Sequence, residues 1–236
     1  MLSEQKNNPK GGASLFGAMR NATFDDGSKL TEKELLTEMF AFVFGGFETT
    51  AAALAWTIAL LALHPEARQR AQEEAASLGR NPTYEDLERF PYLRACWDEG
   101  QRVQSIPYYP RDTKVDQVLG GYHVPAGSVL LCSPYALHYD ERYWNEPEKF
   151  RPERWLEDKI EKRAFQAFGS GERRCLGVNM ANMQGVLYLA KALNRYEFAT
   201  PPGWRPERDF HTSTTVRNGV PVTIRRRQPA PSEVSP

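Results

Sequence analysis

Between Met39 and Leu63 the chain carries a single charged residue, Glu48. No other feature limits the fold as much. The stretch "LTEKELLTEMFAFVFGGFETTAAALAWTIALLALHPEARQR" predicts one long helix. Thr31 and Glu34 form a capping box at its start, satisfying backbone N–H groups that lack intrahelical partners. Pro65 marks the next boundary. At 1.5 Å per residue this is roughly 50 Å of helix. A rod of that length and apolarity either crosses a membrane or runs through the centre of a large core, buried all round.

The middle of the rod separates the two readings. Glu48, Thr49 and Thr50 lie where ionisable groups are costly in hydrocarbon. Ala41, Gly45, Glu48, Thr49 and Ala52 share one face. Gly45 and Gly46 each cost about 1 kcal/mol relative to alanine in a helix. These small residues clear a notch, and the following turn aims a carboxylate and a hydroxyl towards it. Close helix packing over the glycines, with Thr49 bonding back to its own helix, is the plainer account of the same pattern.

Downstream, "PEARQRAQEEAASLG" predicts a solvent-facing helix stopped by Gly79, "TYEDLERF" another, and "PYLRACWDEGQRV" a third. In the last of these Glu99 and Arg102 share a face at i, i+3. "DQVLGGYHVPAGSVLLCSPYAL" then reads as short strands with tight glycine turns, and "RYWNEPEKFRPERWLED" as a packed irregular loop. "LGVNMANMQGVLYLAKAL" is a further helix, and "GVPVTIRRR" a last strand. The fold class is therefore mainly α with small β-sheets. Three parts are expected: a polar segment over 1–30, one domain over 31–228 and a disordered tail over 229–236.

Thirty basic and thirty acidic residues leave no net charge, so the basic excess of a nucleic-acid binder is missing. Cys96, Cys132 and Cys175 are too few and too scattered for a disulfide scaffold, which points to a reducing compartment. The first twenty residues lack the apolar core of a secretion signal.

Cys175 stands apart. It follows Arg173 and Arg174 in a glycine-rich loop, "AFGSGERRCLG", at the front of a predicted helix. Neighbouring cations and helix N-termini both favour the thiolate. Zinc would need about four ligands, whereas His64, His123, His138 and His211 are all distant in sequence. A Cys–His nucleophile lacks a local signature. A lone thiolate suits haem iron, whose in-plane ligands come from the porphyrin.

The loop resembles the haem-binding motif of the cytochrome P450 family, F-x-x-G-x-R-x-C-x-G, at Phe168, Gly171, Arg173, Cys175 and Gly177. "GGFETT" resembles the family's oxygen-activating helix motif, Glu99-x-x-Arg102 its E-x-x-R motif, and "RPERW" its P-E-R-F motif. All four stand in the family's order. "DEGQR" departs from the usual E-T-L-R, and Trp155 stands where phenylalanine is usual. The resemblance covers this chain but only the C-terminal half of the family's fold. It also replaces the membrane and packing readings of the long helix.

The resemblance implies a role for each matched residue. Cys175 would be the axial ligand of haem b iron, and Phe168, Gly169, Gly171, Arg173 and Gly177 its loop, with Arg173 and Arg111 on the haem propionates. Gly45 and Gly46 would leave room for O2, Thr49 would hold a water beside it, and Glu48 would relay protons. Glu99, Arg102 and Arg154 would form a structural charge network. Substrate would meet the long helix, Val103 to Tyr109, and the turn Ser213 to Thr215.

The implied function is monooxygenation of a lipophilic small molecule, with O2 and two electrons from an NADPH-dependent flavoprotein reductase. A full-length parent would sit at the endoplasmic reticulum membrane through an N-terminal anchor; this chain, without one, is expected in the cytoplasm. Two alternatives are a truncated, non-catalytic chain that holds no haem and a haem-thiolate isomerase or dehydratase. The Glu48–Thr49 pair argues against the isomerase or dehydratase, because proton delivery to oxygen is a monooxygenase requirement.

Overall fold

Helix α2 (Glu32–Leu63) is continuous, as the apolar run predicts. In the computed structural model, residues 14–227 are described, except 78, 80, 158, 211 and 212. The proposed tail over 229–236 lies outside them. The chain divides into two compact units, Met1–Glu48 and Thr49–Pro236, with the boundary inside α2.

In the first unit a short helix α1 (Leu15–Asn21) lies within the polar opening segment. The Ser14 hydroxyl caps it, accepting from the Gly17 N–H at 3.1 Å. The capping box of α2 is formed on both sides. Thr31 N–H donates to Glu34 Oε2 at 2.8 Å, and Glu34 N–H donates to Thr31 Oγ1 at 3.3 Å. Phe40 and Phe44 stack one turn apart on α2, and Phe40, Val43, Phe44 and Phe47 are exposed. The expectation of a rod buried all round therefore fails for this stretch.

In the second unit the remainder of α2 is core: Ala53, Trp56, Thr57, Ala59, Leu60 and Leu61 are buried. Around it stand α3 (Pro65–Ala76), α4 (Pro91–Gln104) and α7 (Val178–Arg195), which share one apolar cluster built on Phe90, Leu93, Trp97, Leu189 and Leu193. "TYEDLERF" forms a 3₁₀ helix, Tyr84–Arg89, in place of the predicted α-helix. A six-residue capped segment closed by Pro91 is too short to propagate α geometry.

Long-range contacts lock the helices together. The Glu74 carboxylate of α3 accepts from the Tyr92 and Leu93 N–H groups at 3.0 and 2.7 Å, capping the start of α4. The Asn194 amide of α7 donates to the Ala75 and Gly79 carbonyls at the end of α3. The indole of Trp97 on α4 packs against Gly185 of α7. A Cβ added at Gly185 would come within 2.5 Å of the indole, so only glycine permits this approach.

Among the described residues, four two-stranded antiparallel ladders complete the unit. β1 (Tyr109–Asp112) pairs with β4 (Val129–Cys132), and β2 (Gln117–Leu119) with β3 (Tyr122–Val124) across Gly120-Gly121. β5 (Tyr196–Ala199) pairs with β8 (Thr223–Arg226), and β6 (Arg208–Phe210) with β7 (Thr214–Val216). Helix α5 (Pro134–His138) precedes the proline- and aromatic-rich stretch and a short helix α6 (Arg154–Glu157) lies near its end; its other described residues are irregular, as predicted.

Candidate active site

Glu99 sits on the buried face of α4 with its carboxylate fully enclosed. Arg102, one turn on, grips it with two parallel bonds, Nε to Oε2 and Nη2 to Oε1, both 2.9 Å. Arg154 on α6 adds Nε to Oε1 at 3.1 Å, and the Arg151 N–H adds another at 2.9 Å. Both guanidinium groups are as buried as the carboxylate.

Such a cluster survives desolvation only if its remaining donors are satisfied, and here they are. Arg102 donates to the His138 and Lys149 carbonyls, and Arg154 to those of Asn145, Glu146 and Lys149. The irregular loop is thus pinned by its own backbone oxygens.

Trp155 completes the group. Its indole Nε1–H donates to Glu99 Oε2 at 2.9 Å, so the carboxylate accepts five bonds. Sequence reading registered Trp155 only as a departure from phenylalanine. The signal was there in the chemistry, since tryptophan alone among the large aromatics carries a ring N–H that can donate to a buried acceptor.

The Cys175 loop begins beside this network. Gln166 N–H donates to His138 Nε2 at 2.8 Å, Gly169 N–H to the Gln166 carbonyl at 3.1 Å, and Cys175 N–H to the Phe168 carbonyl at 2.8 Å. Gly169 and Gly171 adopt φ of 67° and 64°, where a side chain is strained. A 3₁₀ turn, Gly171–Arg173, carries the chain to Cys175 and then to α7, which begins after Gly177. Cys175, Arg173 and Arg174 are exposed, and Phe168 is half-buried. A Cβ placed at Gly177 would lie 3.9 Å from the Cys175 sulfur.

The three cysteines are not alike. Cys96 is buried, and burial pushes its thiol well above the ordinary range, so it stays protonated and inert. Cys132 is half-buried; only Cys175 is exposed. Among the described residues no three His, Cys, Asp or Glu side chains gather as a metal-binding set. What the loop offers is one accessible thiol in a backbone cradle, a donor set that fits haem iron.

The other predicted residues fall as follows. Arg111, on β1, is exposed; its guanidinium lies over the Tyr109 ring and donates to the Pro110 carbonyl. On α2 Glu48 is half-buried and Thr49 exposed. Among the described residues, a Cβ added at Gly45 or Gly46 would meet no heavy atom within 4 Å.

The two stretches expected to meet substrate, Val103 to Tyr109 and Ser213 to Thr215, are joined by hydrogen bonds. Thr214 Oγ1 donates to the Ser105 carbonyl at 3.0 Å, and the Gln104 amide to the Thr214 carbonyl at 3.3 Å. Arg208 braces the junction, donating to the Val103 carbonyl and the Tyr139 hydroxyl against the rings of Trp56 and Tyr135.

The family model described as "Cytochrome P450" matches residues 1–225. Cytochrome P450 monooxygenase alnD of Emericella nidulans is 34% identical over 92% of this chain and 41% of its own length. Human cytochrome P450 3A5 is 35% identical over 72% of this chain and 35% of its own length. Cyclooctat-9-en-7-ol 5-monooxygenase of Streptomyces melanosporofaciens is 34% identical over 86% of this chain and 46% of its own length. The chain thus spans less than half the length of these relatives.

Proposed function

The chain belongs to the cytochrome P450 family, and from that premise we propose that it carries the haem-binding and oxygen-activating half of a haem-thiolate monooxygenase acting on a lipophilic small molecule. The observation that carries this reading is the Cys175 loop: one exposed thiol on a glycine-shaped backbone ahead of α7. Haem b, when bound, supplies an iron centre that reduces O2 with two electrons from a flavoprotein reductase, one oxygen entering substrate and the other leaving as water.

The protein's residues do the rest. Cys175 donates its thiolate, and the surrounding loop N–H groups tune the sulfur. Arg173 and Arg111 present guanidinium forks to carboxylates. Thr49 holds a water and Glu48 passes protons to it, while Gly45 and Gly46 leave the space. Glu99, Arg102, Arg154 and Trp155 keep the loop in register without touching the chemistry. A full-length parent at the endoplasmic reticulum, served by an NADPH-dependent reductase, fits the microsomal character of "RPERW". Helix α2 is also long and apolar enough to cross a membrane, by length and composition only.

A second reading has one observation in its favour. Phe40, Val43, Phe44 and Phe47 are exposed, an apolar surface of the sort that binds a partner or aggregates. On that reading the chain holds no haem by itself.

One experiment separates them. The chain is supplied with haem and the reduced carbon-monoxide difference spectrum recorded for the wild type and Cys175→Ala. A thiolate-type Soret shift present in the wild type and absent in the variant is expected. Failure to take up haem leaves the second reading standing. An identical spectrum in Cys175→Ala removes the ligand assignment.

A further inference from the structure

His138 lies between the charge network and the Cys175 loop, fully buried. It is bonded on both ring nitrogens and through its carbonyl. Nδ1 is 3.2 Å from the Arg102 carbonyl, and Nε2 is 2.8 Å from the Gln166 amide nitrogen. The Arg102 guanidinium returns a bond of 2.8 Å to the His138 carbonyl.

The chemistry of these partners leaves one protonation state. A carbonyl only accepts, so Nδ1 must carry hydrogen; a backbone N–H only donates, so Nε2 must be bare. Imidazolium would set N–H against N–H at Gln166. The ring is held in place from the sides, stacked on Phe165 at 5.4 Å between centroids and edge-on to Trp144 at 5.9 Å.

We infer that His138 is a positioning residue for the haem-ligand loop: a neutral, Nδ1-protonated imidazole that ties the Arg102 backbone to the Gln166 backbone and so sets where the Cys175 loop begins. From Gln166 the bonds continue through its carbonyl to Gly169 N–H, and the Phe168 carbonyl takes the Cys175 N–H. The path from Glu99 to the ligand cysteine is hydrogen-bonded throughout, apart from the covalent steps along the chain. Burial supports the neutral form, pushing the imidazole down to about 4 despite the nearby Glu99 carboxylate. The role rests on Cys175 being the haem ligand, but the tether itself is a property of the haem-free chain.

The test therefore begins without haem. In the wild type, nitrogen-15 spectra of the imidazole should show Nδ1 protonated and Nε2 bare, with a coupling across the hydrogen bond to the Gln166 amide. An Nε2-protonated ring overturns the inference and requires no variant. His138→Phe keeps the stacked ring and removes both bonds. It should speed exchange of the Gln166 amide roughly 10- to 100-fold while leaving the α7 amides unchanged. His138→Gln, which restores an acceptor near Nε2, should recover part of that protection, and it remains informative if His138→Phe does not fold.

Unchanged exchange at Gln166 in a folded variant overturns the inference. With haem supplied, the same variants should lose part of the thiolate-type carbon-monoxide band. Faster Gln166 exchange in His138→Phe, together with no haem uptake by the wild type, would uphold the tether in the wild type and defeat only the reading of Cys175.

Discussion

The indole N–H of Trp155 donates to Glu99 Oε2 at 2.9 Å, from a residue 56 positions further along the chain. It makes Trp155 part of the charge network and not a substitute for phenylalanine. A hydrogen bond to a buried charge contributes about 1.5–3 kcal/mol. Trp155→Phe should therefore lower stability by about that amount with the fold retained. Chemical denaturation checks this: the midpoint should fall while the denaturant slope stays the same.

Glu99→Gln should cost more. It leaves two buried guanidinium groups facing a neutral amide, and breaking such a pair costs about 3–5 kcal/mol. The expected outcome is loss of a cooperative thermal transition or its displacement by many degrees. A variant as stable as the wild type would mean that the pinned carbonyls, and not the carboxylate, hold the loop.

Gly100 lies against Thr57 of α2. A Cβ there would collide with the Thr57 hydroxyl and stand 3.1 Å from its Cβ. Gly100→Ala should cost about 1–3 kcal/mol by overpacking. In a Thr57→Ala background, where the hydroxyl and methyl are gone, that cost should shrink by at least half. Strict additivity in the double-mutant cycle would refute the contact.

Two buried groups give opposite pH trends. Burial lowers His138 from 6.5 to about 4, so between those values the unfolded state binds more protons and stability falls as pH falls. Burial raises Asp98 from 3.8 to about 6, against the pull of Arg94, so there the folded state binds more protons and stability rises as pH falls. Arg102 and Glu99 are the charged groups that act on His138.

Each shift is on the order of 3 kcal/mol. Asp98→Asn should be more stable than the wild type at pH 7, and the advantage should disappear between about pH 6 and 4. His138→Gln should be less stable at pH 7, with the deficit closing between about pH 6.5 and 4. Denaturant midpoints measured across that range check both, and parallel curves would contradict the burial of these groups.

Much of the candidate site was legible because its signals are local. Glu99 and Arg102 stand one helical turn apart, so their pairing follows from helix geometry alone. The glycines flanking Cys175 announced a tight loop, and Gly169 and Gly171 do take positive φ. Thr31 and Glu34 marked the start of α2 to the residue.

The partners that sequence reading missed all come from far along the chain. His138 was weighed as a metal ligand and set aside, yet it joins Arg102 to Gln166 across 36 and 28 positions. Glu74 looked like surface charge on a polar helix and instead caps α4.

Composition, period and spacing thus determined by themselves the long helix, the mainly helical class and the one cysteine in a shaped loop, because backbone geometry over a few residues dictates them. The tertiary structure decided which half of α2 is buried, which indole answers Glu99 and which imidazole anchors the loop. Those choices depend on desolvation and on which donors and acceptors meet once distant segments have packed, and no local pattern encodes them.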